Sequence, residues 1–320
     1  MNNIPSPTFA DELPERPPWP FPEPLPGRLL GIDAGGSATR VVLVADGRIA
    51  RRFTAPPMNA LLTVDLTDRL ATLIATAGDT GHNTGHNTGH NTGEATAAGI
   101  GMPGLRSPDD AAALGAELTR RAGLPVRVAG DGETAWLGAF GAAPGIVVYA
   151  GTGSGGMGCD GERWARAGGH GFLLGDEGSA YWIGRAAANA ALRWEDGMGG
   201  SAALRDAVIE ASGGDLAALI GSVNSHPAER GRLALLAPVV TALAGEDDAA
   251  RRIALEAAEH LTELARAVRR RLGPLPVSGL GGVLRAPVIW DRFAELTGAV
   301  PPMAAPEMGA ALLAGRGRVC

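Results

Sequence analysis

The sequence predicts an α/β protein built from two copies of one domain design. Two segments, 29–54 and 146–167, each show the order strand, glycine-rich turn, strand, Asp-Gly hairpin and strand. They lie roughly a hundred residues apart, and a repeat at that separation indicates a duplicated domain. Because glycine-rich turns expose backbone N–H groups to anions, each copy carries a candidate phosphate-binding turn. We expect the two turns to face each other across a central cleft and to hold a polyphosphate.

The composition of the chain restricts its chemistry. The 320 residues carry a net charge of −6, which argues against nucleic acid or an anionic membrane as the main partner. All 28 basic residues are arginine, so the chain has neither a Walker-A lysine nor the strand lysine of protein kinases. Nucleotide chemistry must therefore use backbone amides, a metal ion and carboxylates. Two cysteines are too few for a disulfide framework, no long apolar run is present, and we expect a cytoplasmic protein.

The first 27 residues form a proline-rich segment that we expect to be a disordered tail. They include nine prolines, which exclude regular core elements, and they lack the basic and apolar regions of a secretory signal. We predict an N-terminal domain over 28–130, completed by the C-terminal helix 306–320. A C-terminal domain is predicted over 131–305.

The N-terminal domain is predicted to contain both strands and helices. Its strands occupy 29–33, 39–44, 49–54, 97–101 and 126–129, and its helices occupy 67–77 and 109–122. A low-complexity insert, 78–93, contains the motif HNTG three times. Glycine and asparagine in every repeat oppose a helix that would align the histidines on a metal ion. We therefore interpret the insert as an expanded surface loop.

Asp131 is the candidate for catalysis. It follows the predicted strand 126–129, and ligands of open α/β sheets bind beyond the carboxyl ends of the strands. Its carboxylate is a candidate general base. An N-cap of the predicted helix 133–140 is an almost equally natural role for the same residue.

The second copy begins with strand 146–149 and enters the glycine turn 151–156, GTGSGG. Three of its glycines match the dinucleotide fingerprint GxGxxG, but that fingerprint must open a helix. An Asp-Gly hairpin at 160–161 follows here instead, so we reject a nicotinamide or flavin site.

A second glycine loop, 168–171, leads to Asp176 just before a predicted helix, 179–194. An acidic residue before a helix is usually a cap, so Asp176 has a structural alternative to ligand binding. The pattern beyond residue 184 is mostly helical, and one long amphipathic helix ends at Gly273. The last predicted elements are a strand at 275–278, a third glycine cluster at 279–282 and an alanine-rich helix from 306.

Taken together, four segments resemble the N-acetylglucosamine kinase family within the BadF/BadG/BcrA/BcrD ATPase group. They are, in chain order, GIDAGGSATR, AGTGSGG, GGHGFLLGDEGSAYWIG and SGLGGV, and the resemblance spans 29–315 apart from the HNTG insert. It implies two duplicated ribonuclease H-like domains, the actin-like ATPase fold, around a central cleft. It also implies a kinase that uses ATP and Mg²⁺, phosphorylates N-acetylglucosamine or glucosamine at the 6-hydroxyl, and forms a homodimer.

The resemblance also implies which residues contact the ligands. The contacts expected are phosphate for Gly35, Gly36, Ser37, Gly151, Thr152 and Gly153, adenosine for Gly281 and Gly282, and sugar for Asn59, Gly169, His170, Gly171 and Asp176. Asp33 is expected near the Mg²⁺, and Asp131 is expected to take the proton from a sugar hydroxyl. Many family members have tryptophan at the position of His170, so the sequence leaves open whether the sugar is N-acetylated.

The sequence is also compatible with two other functions. Some members of the wider group are ATPases that activate a reductase through an iron–sulfur cluster, but Cys159 lies in a predicted hairpin and Cys320 is the last residue. A nucleotide-dependent sugar sensor, or an actin-like assembly protein, is the alternative from a different class. A protein that only binds has no use for a base at Asp131, so this residue discriminates between them.

Overall fold

The computed structural model describes residue 21 and the ranges 27–78, 95–225 and 230–316. The predicted tail 1–27 and the HNTG insert 78–93 lie outside the described residues, apart from residues 21, 27 and 78. The chain divides into two compact units. The first unit comprises the residues up to Ala143 together with those from Pro302 onward, and the second unit is Pro144–Pro301.

The first unit is built on a five-stranded sheet. Its strands are β1 (Arg28–Ala34), β2 (Thr39–Ala45), β3 (Arg48–Ala55), β4 (Ala97–Met102) and β5 (Val126–Gly130), in the order β3-β2-β1-β4-β5. β1, β2 and β3 form the predicted antiparallel meander, and β4 and β5 run parallel to β1. All five predicted strands are confirmed to within one residue at each end.

Helices cover both faces of this sheet. They are α1 (Leu66–Gly78), α2 (Pro108–Ala122), α3 (Asp131–Phe140) and, from the end of the chain, α11 (Pro306–Arg316). Residues alternate between the two faces of a strand, so Leu30, Ile32 and Ile100 form one apolar face, which packs with buried residues of α1 and α2. The opposite face, which carries Gly31 and Gly99, is covered by α3 and α11.

Glycine allows α11 to lie directly on the strands. A Cβ atom at Gly31 would lie 2.0 Å from the carbonyl oxygen of Glu307, and one at Gly99 would lie 1.9 Å from that of Ala310. No side chain fits at such distances, so the helix backbone contacts the sheet backbone. Because Gly31 and Asp33 share a face of β1, the first turn of α11 lies close to Asp33.

The unit boundary differs from the predicted domain boundary between residues 130 and 131. α3 packs against α11, and a Cβ atom at Gly309 would lie only 2.0 Å from the carbonyl oxygen of Thr134. This backbone contact keeps α3 in the first unit, so the second unit begins at Pro144. A boundary placed at the turn after a strand could not anticipate a contact made by the last helix of the chain.

The second unit contains a four-stranded sheet. Its strands are β6 (Gly145–Ala150), β7 (Ser154–Cys159), β8 (Trp164–Gly168) and β9 (Val277–Leu280), in the order β8-β7-β6-β9. Again a meander is joined by a strand parallel to its first member, as β4 joins β1 in the first unit. The predicted duplication is therefore confirmed. β9 begins two residues later than predicted, and Ser154–Gly156, predicted as turn, belongs to β7.

The rest of the second unit is helical, as predicted. The helices are α4 (Ala180–Glu195), α5 (Ala202–Ala211), α6 (Leu216–Ser225), α7 (Arg230–Ala234), α8 (Ala237–Leu243), α9 (Asp248–Leu272) and α10 (Pro287–Thr297). α9 starts at an Asp247 cap, buries one apolar stripe that includes Leu261 and Val268, and ends at Gly273. In the part of the chain that the structure describes, no helix has the length and apolar character needed to span a membrane.

The contact between α11 and the sheet predicts a large effect of one methyl group. Gly99→Ala should lower the free energy of unfolding by at least about 3 kcal/mol, because the new Cβ overlaps the backbone of α11 rather than a movable side chain. Urea denaturation followed by circular dichroism measures the change.

The matched control for this substitution is Gly221→Ala in α6, where a Cβ atom meets nothing within 4 Å. Alanine at this helical position should be neutral or stabilise by up to about 1 kcal/mol. Equal stabilities for the two variants would contradict the close approach of α11 to β4.

Candidate functional site

In the first unit, the predicted site residues lie at the carboxyl ends of parallel strands. Asp33 is near the end of β1, and Asp131 directly follows β5. Asn59 lies against the turn after β4, where a Cβ atom at Gly104 would be 2.5 Å from its Oδ1 atom. This oxygen accepts the N–H of Leu61 at 2.8 Å, and the Nδ2 group has no partner assigned among the described residues. The three side chains thus share the sheet edge at which α/β proteins bind ligands.

Asp33 is a buried carboxyl group with little compensation. Its exposed fraction is 8%, and its nearest cationic group, Arg40 Nη1, lies 3.7 Å from Oδ2, too far for a hydrogen bond. Burial raises the pKa of Asp33 to about 7; the negative charges of Glu307 and Asp131 act in the same direction, and Arg40 opposes them. The site therefore favours a neutral acid or a bound cation over an isolated carboxylate.

Glu307 is a second buried acid, which the sequence analysis did not single out. Its exposed fraction is 3%, and its Oε1 atom lies 3.3 Å from Nε of Arg52 on β3. The other oxygen, Oε2, is buried and has no hydrogen-bond partner within the described ranges. Arg52 thus forms an ion pair with Glu307, although its buried Nε atom makes no hydrogen bond to the described residues. The carboxylate near Asp33 is only partly compensated.

Asp131 occupies the first turn of α3. Its Oδ1 atom accepts the N–H of Gly132 at 2.9 Å, and the N-cap position belongs to Gly130, which has no side chain that could form a capping bond. Asp131 is therefore not the N-cap of α3, the structural role that the sequence left open for it. A carboxylate in the first turn is stabilised by the helix dipole and stays partly exposed, which suits a group that exchanges a proton with a ligand.

The first glycine turn presents an unused backbone donor. The N–H of Gly35 closes the turn by donating to the carbonyl of Ala38 at 3.1 Å. Gly36 is exposed, a Cβ atom there meets nothing within 4 Å, and no acceptor within the described chain is assigned to its N–H. Ser37 beside it is exposed as well. This turn has the features of an anion-binding backbone segment.

The second glycine turn is fixed to the start of α4. The carbonyls of Gly151 and Thr152 accept the N–H groups of Ala180 at 2.8 Å and Tyr181 at 3.3 Å. These bonds direct the turn's carbonyls toward the helix. The N–H of Gly153 has no acceptor assigned in the ranges that the structure covers. Like the first turn, this one keeps a backbone donor for a ligand.

Asp176 fixes the same turn from the other side. Its exposed fraction is 8%, its Oδ1 atom accepts the N–H of Ser154 at 3.2 Å, and a Cβ atom at Gly153 would lie 2.8 Å from its Oδ2 atom. Asp176 also has a φ of 63°, which is strained for a residue other than glycine. The cap of α4 is Ser179, so the capping role considered for Asp176 is not adopted either.

The remaining predicted residues of the second unit lie near this turn. The N–H of Gly169 donates to the carbonyl of Ser154 at 3.1 Å, so the loop 169–171 starts beside β7, with His170 exposed. A Cβ atom at Gly281 would lie 2.2 Å from the carbonyl oxygen of Ala150. Gly281 therefore contacts the strand end that leads into the second turn, and Gly282 next to it faces open space.

Comparison with known proteins fits this arrangement. The family model of the BadF/BadG/BcrA/BcrD ATPase family matches residues 30–314, almost the whole chain. The chain belongs to this family. Its use of ATP follows from that membership, and the predicted α/β fold of duplicated actin-like ATPase domains is confirmed by the structures that resemble it.

Three known proteins resemble this chain. A candidate N-acetylglucosamine kinase from Chromobacterium violaceum has 28% identity, with 90% of this chain and 99% of that one covered and a TM-score of 0.72. A glucokinase of the ROK family from Streptomyces griseus has 18% identity and a TM-score of 0.58, with 90% and 98% covered, and shares the fold. An N-acetylmuramic acid/N-acetylglucosamine kinase from Clostridium acetobutylicum is 42% identical over 84 residues, but the match spans only 26% of this chain and 28% of that relative.

Two charged residues in the first unit escaped the sequence analysis, Arg40 and Glu307. The register of the first hairpin contains a signal for Arg40, because a short turn between β1 and β2 pairs it with Asp33. The signal for Glu307 is weak, because an acidic residue is common in the first turn of a helix, although here it precedes seven residues that are all buried. Neither signal reveals that these side chains surround one carboxyl group, which depends on long-range packing.

The buried acid predicts a pH-dependent stability. The pKa of Asp33 is about 7 in the folded protein and 3.8 in a model peptide, so between these values the unfolded chain releases a proton that the folded chain keeps. Rising pH therefore favours unfolding across this window. The stability of the wild type relative to Asp33→Asn should fall by roughly 2 kcal/mol from pH 5 to pH 8.

Urea denaturation in metal-free buffer at several pH values tests this prediction. Groups remote from Asp33 affect both proteins equally, so the difference between them reports the titration of Asp33 together with the two acids coupled to it, Glu307 and Asp131. A difference in unfolding free energy that stays constant from pH 5 to pH 8 would show that Asp33 is ionised throughout.

Proposed function

We propose that this chain transfers the terminal phosphate of ATP to a hydroxyl group of an amino sugar. N-acetylglucosamine and glucosamine are the proposed substrates, and the 6-hydroxyl is the proposed acceptor. The observation that carries the proposal is Asp131, a partly exposed carboxylate at the carboxyl end of β5, with the Asn59 amide at the neighbouring end of β4. The similarity to the C. violaceum and C. acetobutylicum proteins supports this choice of substrate class.

Asp131 is proposed as the base that accepts the proton of the attacking hydroxyl. Its first-turn position at the end of a parallel strand supports that role. Asn59 is proposed to bind a sugar hydroxyl through its Nδ2 group, because its Oδ1 atom is held by Leu61. Together these two residues would orient the acceptor, and orientation of two reactants contributes roughly 7 to 11 kcal/mol to catalysis. Proton acceptance adds a factor of about 10² to 10⁴.

Mg²⁺ is the proposed metal, with Asp33 as its protein ligand. No set of three His, Cys, Asp or Glu side chains is grouped for metal binding in the described ranges, so an ion at Asp33 must complete its shell with other oxygens. Mg²⁺ fits, since it is commonly held by one or two carboxylates together with substrate phosphates and water. The negative charges of Glu307 and Asp131 near the buried carboxyl group of Asp33 favour a divalent cation there. When bound, the ion supplies neutralisation of the phosphate charge.

The glycine turns are proposed to bind the phosphates of ATP through backbone N–H groups. Gly36 and Gly153 keep such donors, and Gly35, Ser37, Gly151 and Thr152 belong to the same two turns. Gly281 and Gly282 are proposed to contact the adenosine, since neither presents a side chain there. Fixed amides need no reorganisation when charge develops on the phosphate, which is how backbone donors accelerate transfer.

The sugar contacts of the second unit are proposed for Gly169, His170, Gly171 and Asp176. His170 is exposed on the loop, which suits a ring or acyl contact. Asp176 is buried and bonded to Ser154, so we propose that it also holds the phosphate turn in shape. The homodimer and the cytoplasmic location expected from the sequence belong to this proposal as well.

Replacing the proposed base separates an enzyme from a binding protein. Asp131→Asn should bind ATP and sugar with affinities near those of the wild type and should transfer phosphate at least about a hundredfold more slowly. Calorimetry measures the affinities, and release of ADP measures the turnover. Unchanged turnover would assign Asp131 to the stabilisation of α3.

The substrate is identified by a panel of amino sugars and neutral hexoses with ATP and Mg²⁺. We expect ADP release with N-acetylglucosamine or glucosamine to exceed that with glucose at least tenfold. The same panel with His170→Trp tests the loop, since an aromatic face packs on an acetyl group and should shift the preference toward the N-acetylated sugar. Release of ADP without a phosphorylated sugar in any assay would rule out the kinase and favour an ATPase.

A further inference from the structure

Arg40 lies beside the first glycine turn in the first unit. It is directly opposite Asp33 in the antiparallel β1–β2 pair, so both side chains project from the same face. Its Nη1 atom is 3.7 Å from Asp33 Oδ2 and 4.0 Å from the position that a Cβ atom would take at Gly35. The guanidinium group is therefore next to both the buried acid and the turn.

The contact between Arg40 and Asp33 is loose. Its length exceeds that of a hydrogen bond, and no hydrogen bond from the guanidinium to another described residue is assigned. The Arg40 side chain is 45% exposed, whereas the Asp33 side chain is 11% exposed. The pair has no hydrogen bond and its arginine is exposed, so the guanidinium can exchange its partner when a proton or another cation neutralises the buried carboxylate.

The other arginine close to these acids is paired with a different carboxylate, although its Nε atom has no hydrogen-bond partner among the described residues. Arg52 pairs with Glu307 at 3.3 Å, and that carboxylate is buried. Arg40 is thus the exposed cation beside the turn that holds Gly36. The chain has no lysine, so a side-chain cation for the nucleotide must be an arginine. The planar fork of arginine suits a phosphate group, because two N–H groups can donate to two of its oxygens.

We propose that Arg40 binds the terminal phosphates of ATP at the first turn, exchanging the carboxylate of Asp33 for phosphate oxygens. This inference rests on the proposed function, in which the turn binds phosphate and Asp33 binds the metal. The exchange is non-covalent. Without nucleotide, the guanidinium of Arg40 stays in a loose contact with Asp33. With a cation bound at that carboxylate, the guanidinium would be free to donate to the phosphate.

The test compares nucleotides that differ only in phosphate number. Calorimetry gives the affinities of ATP, ADP and AMP for the wild type, for Arg40→Gln and for Arg48→Gln, each with Mg²⁺ and with EDTA. Arg48 is an exposed arginine at the start of β3, so its variant controls for the loss of one positive charge from the same sheet.

Arg40→Gln should weaken ATP binding at least about tenfold and AMP binding less than twofold, because a charged hydrogen bond to phosphate is lost. Arg48→Gln should leave all three affinities within about twofold of the wild type. Arg40→Lys, which keeps the charge but loses the fork, should bind ATP with intermediate affinity. If Arg40→Gln disturbs folding, the affinities of Arg40→Lys test the proposal instead. Weakened ATP binding with unchanged AMP binding in the lysine variant supports the proposal, and unchanged ATP binding overturns it.

Equal weakening of ATP and AMP by Arg40→Gln would overturn the proposal, since it indicates a general structural role. No weakening of ATP would overturn it too. The proposed kinase activity is measured on the same wild-type preparation by the sugar panel. If the affinities for ATP, ADP and AMP follow the expected pattern but the wild type phosphorylates no sugar, the proposed function is contradicted. The role of Arg40 in nucleotide binding would then still stand.

Discussion

The first unit depends on one constraint, the burial of the Asp33 carboxyl group under α11. Glycines at positions 31 and 99 allow the helix backbone to lie on β1 and β4, and this contact brings Glu307 near Asp33. Two buried acids in one place raise the free energy of the ionised state, so the site is most stable with a proton or a cation. A buried carboxyl group that has to be neutralised suits a site for a metal ion and phosphate. Packing of the core alone would not require an acidic group at this position.

Most of the fold was predictable from local sequence signals. Hairpins at Asp46-Gly47 and Asp160-Gly161 set the two meanders, and alternation and helical periodicity located the strands and the long helix to within a few residues. Contacts that bridge distant segments were not accessible in this way. α3 joins the first unit because the last helix of the chain packs on it, and no local pattern near residue 131 records that contact.

The residues of the candidate site also divide into those that have a local sequence signal and those that depend on long-range contacts. Glycine turns and acids that follow strands are local features, and they led to Gly36, Gly153 and Asp131. The sequence could not separate a binding role from a structural one for Asp176, because both place an acid before a helix. The structure shows that Asp176 accepts a hydrogen bond from the Ser154 N–H, which ties the acid to the second glycine turn. Glu307 was missed because its importance comes from burial beside a residue far away in the sequence.

The most direct test of the account is a titration of Asp33 itself. Carbon-13 NMR of aspartate side-chain carboxyl groups, assigned with Asp33→Asn, gives the pKa in the metal-free protein. We expect a midpoint of about 7 in the wild type and a lower midpoint in Glu307→Gln, where one neighbouring negative charge is removed. A midpoint near the ordinary aspartate value of 3.8, unchanged by Glu307→Gln, would contradict the buried acid on which the site is built.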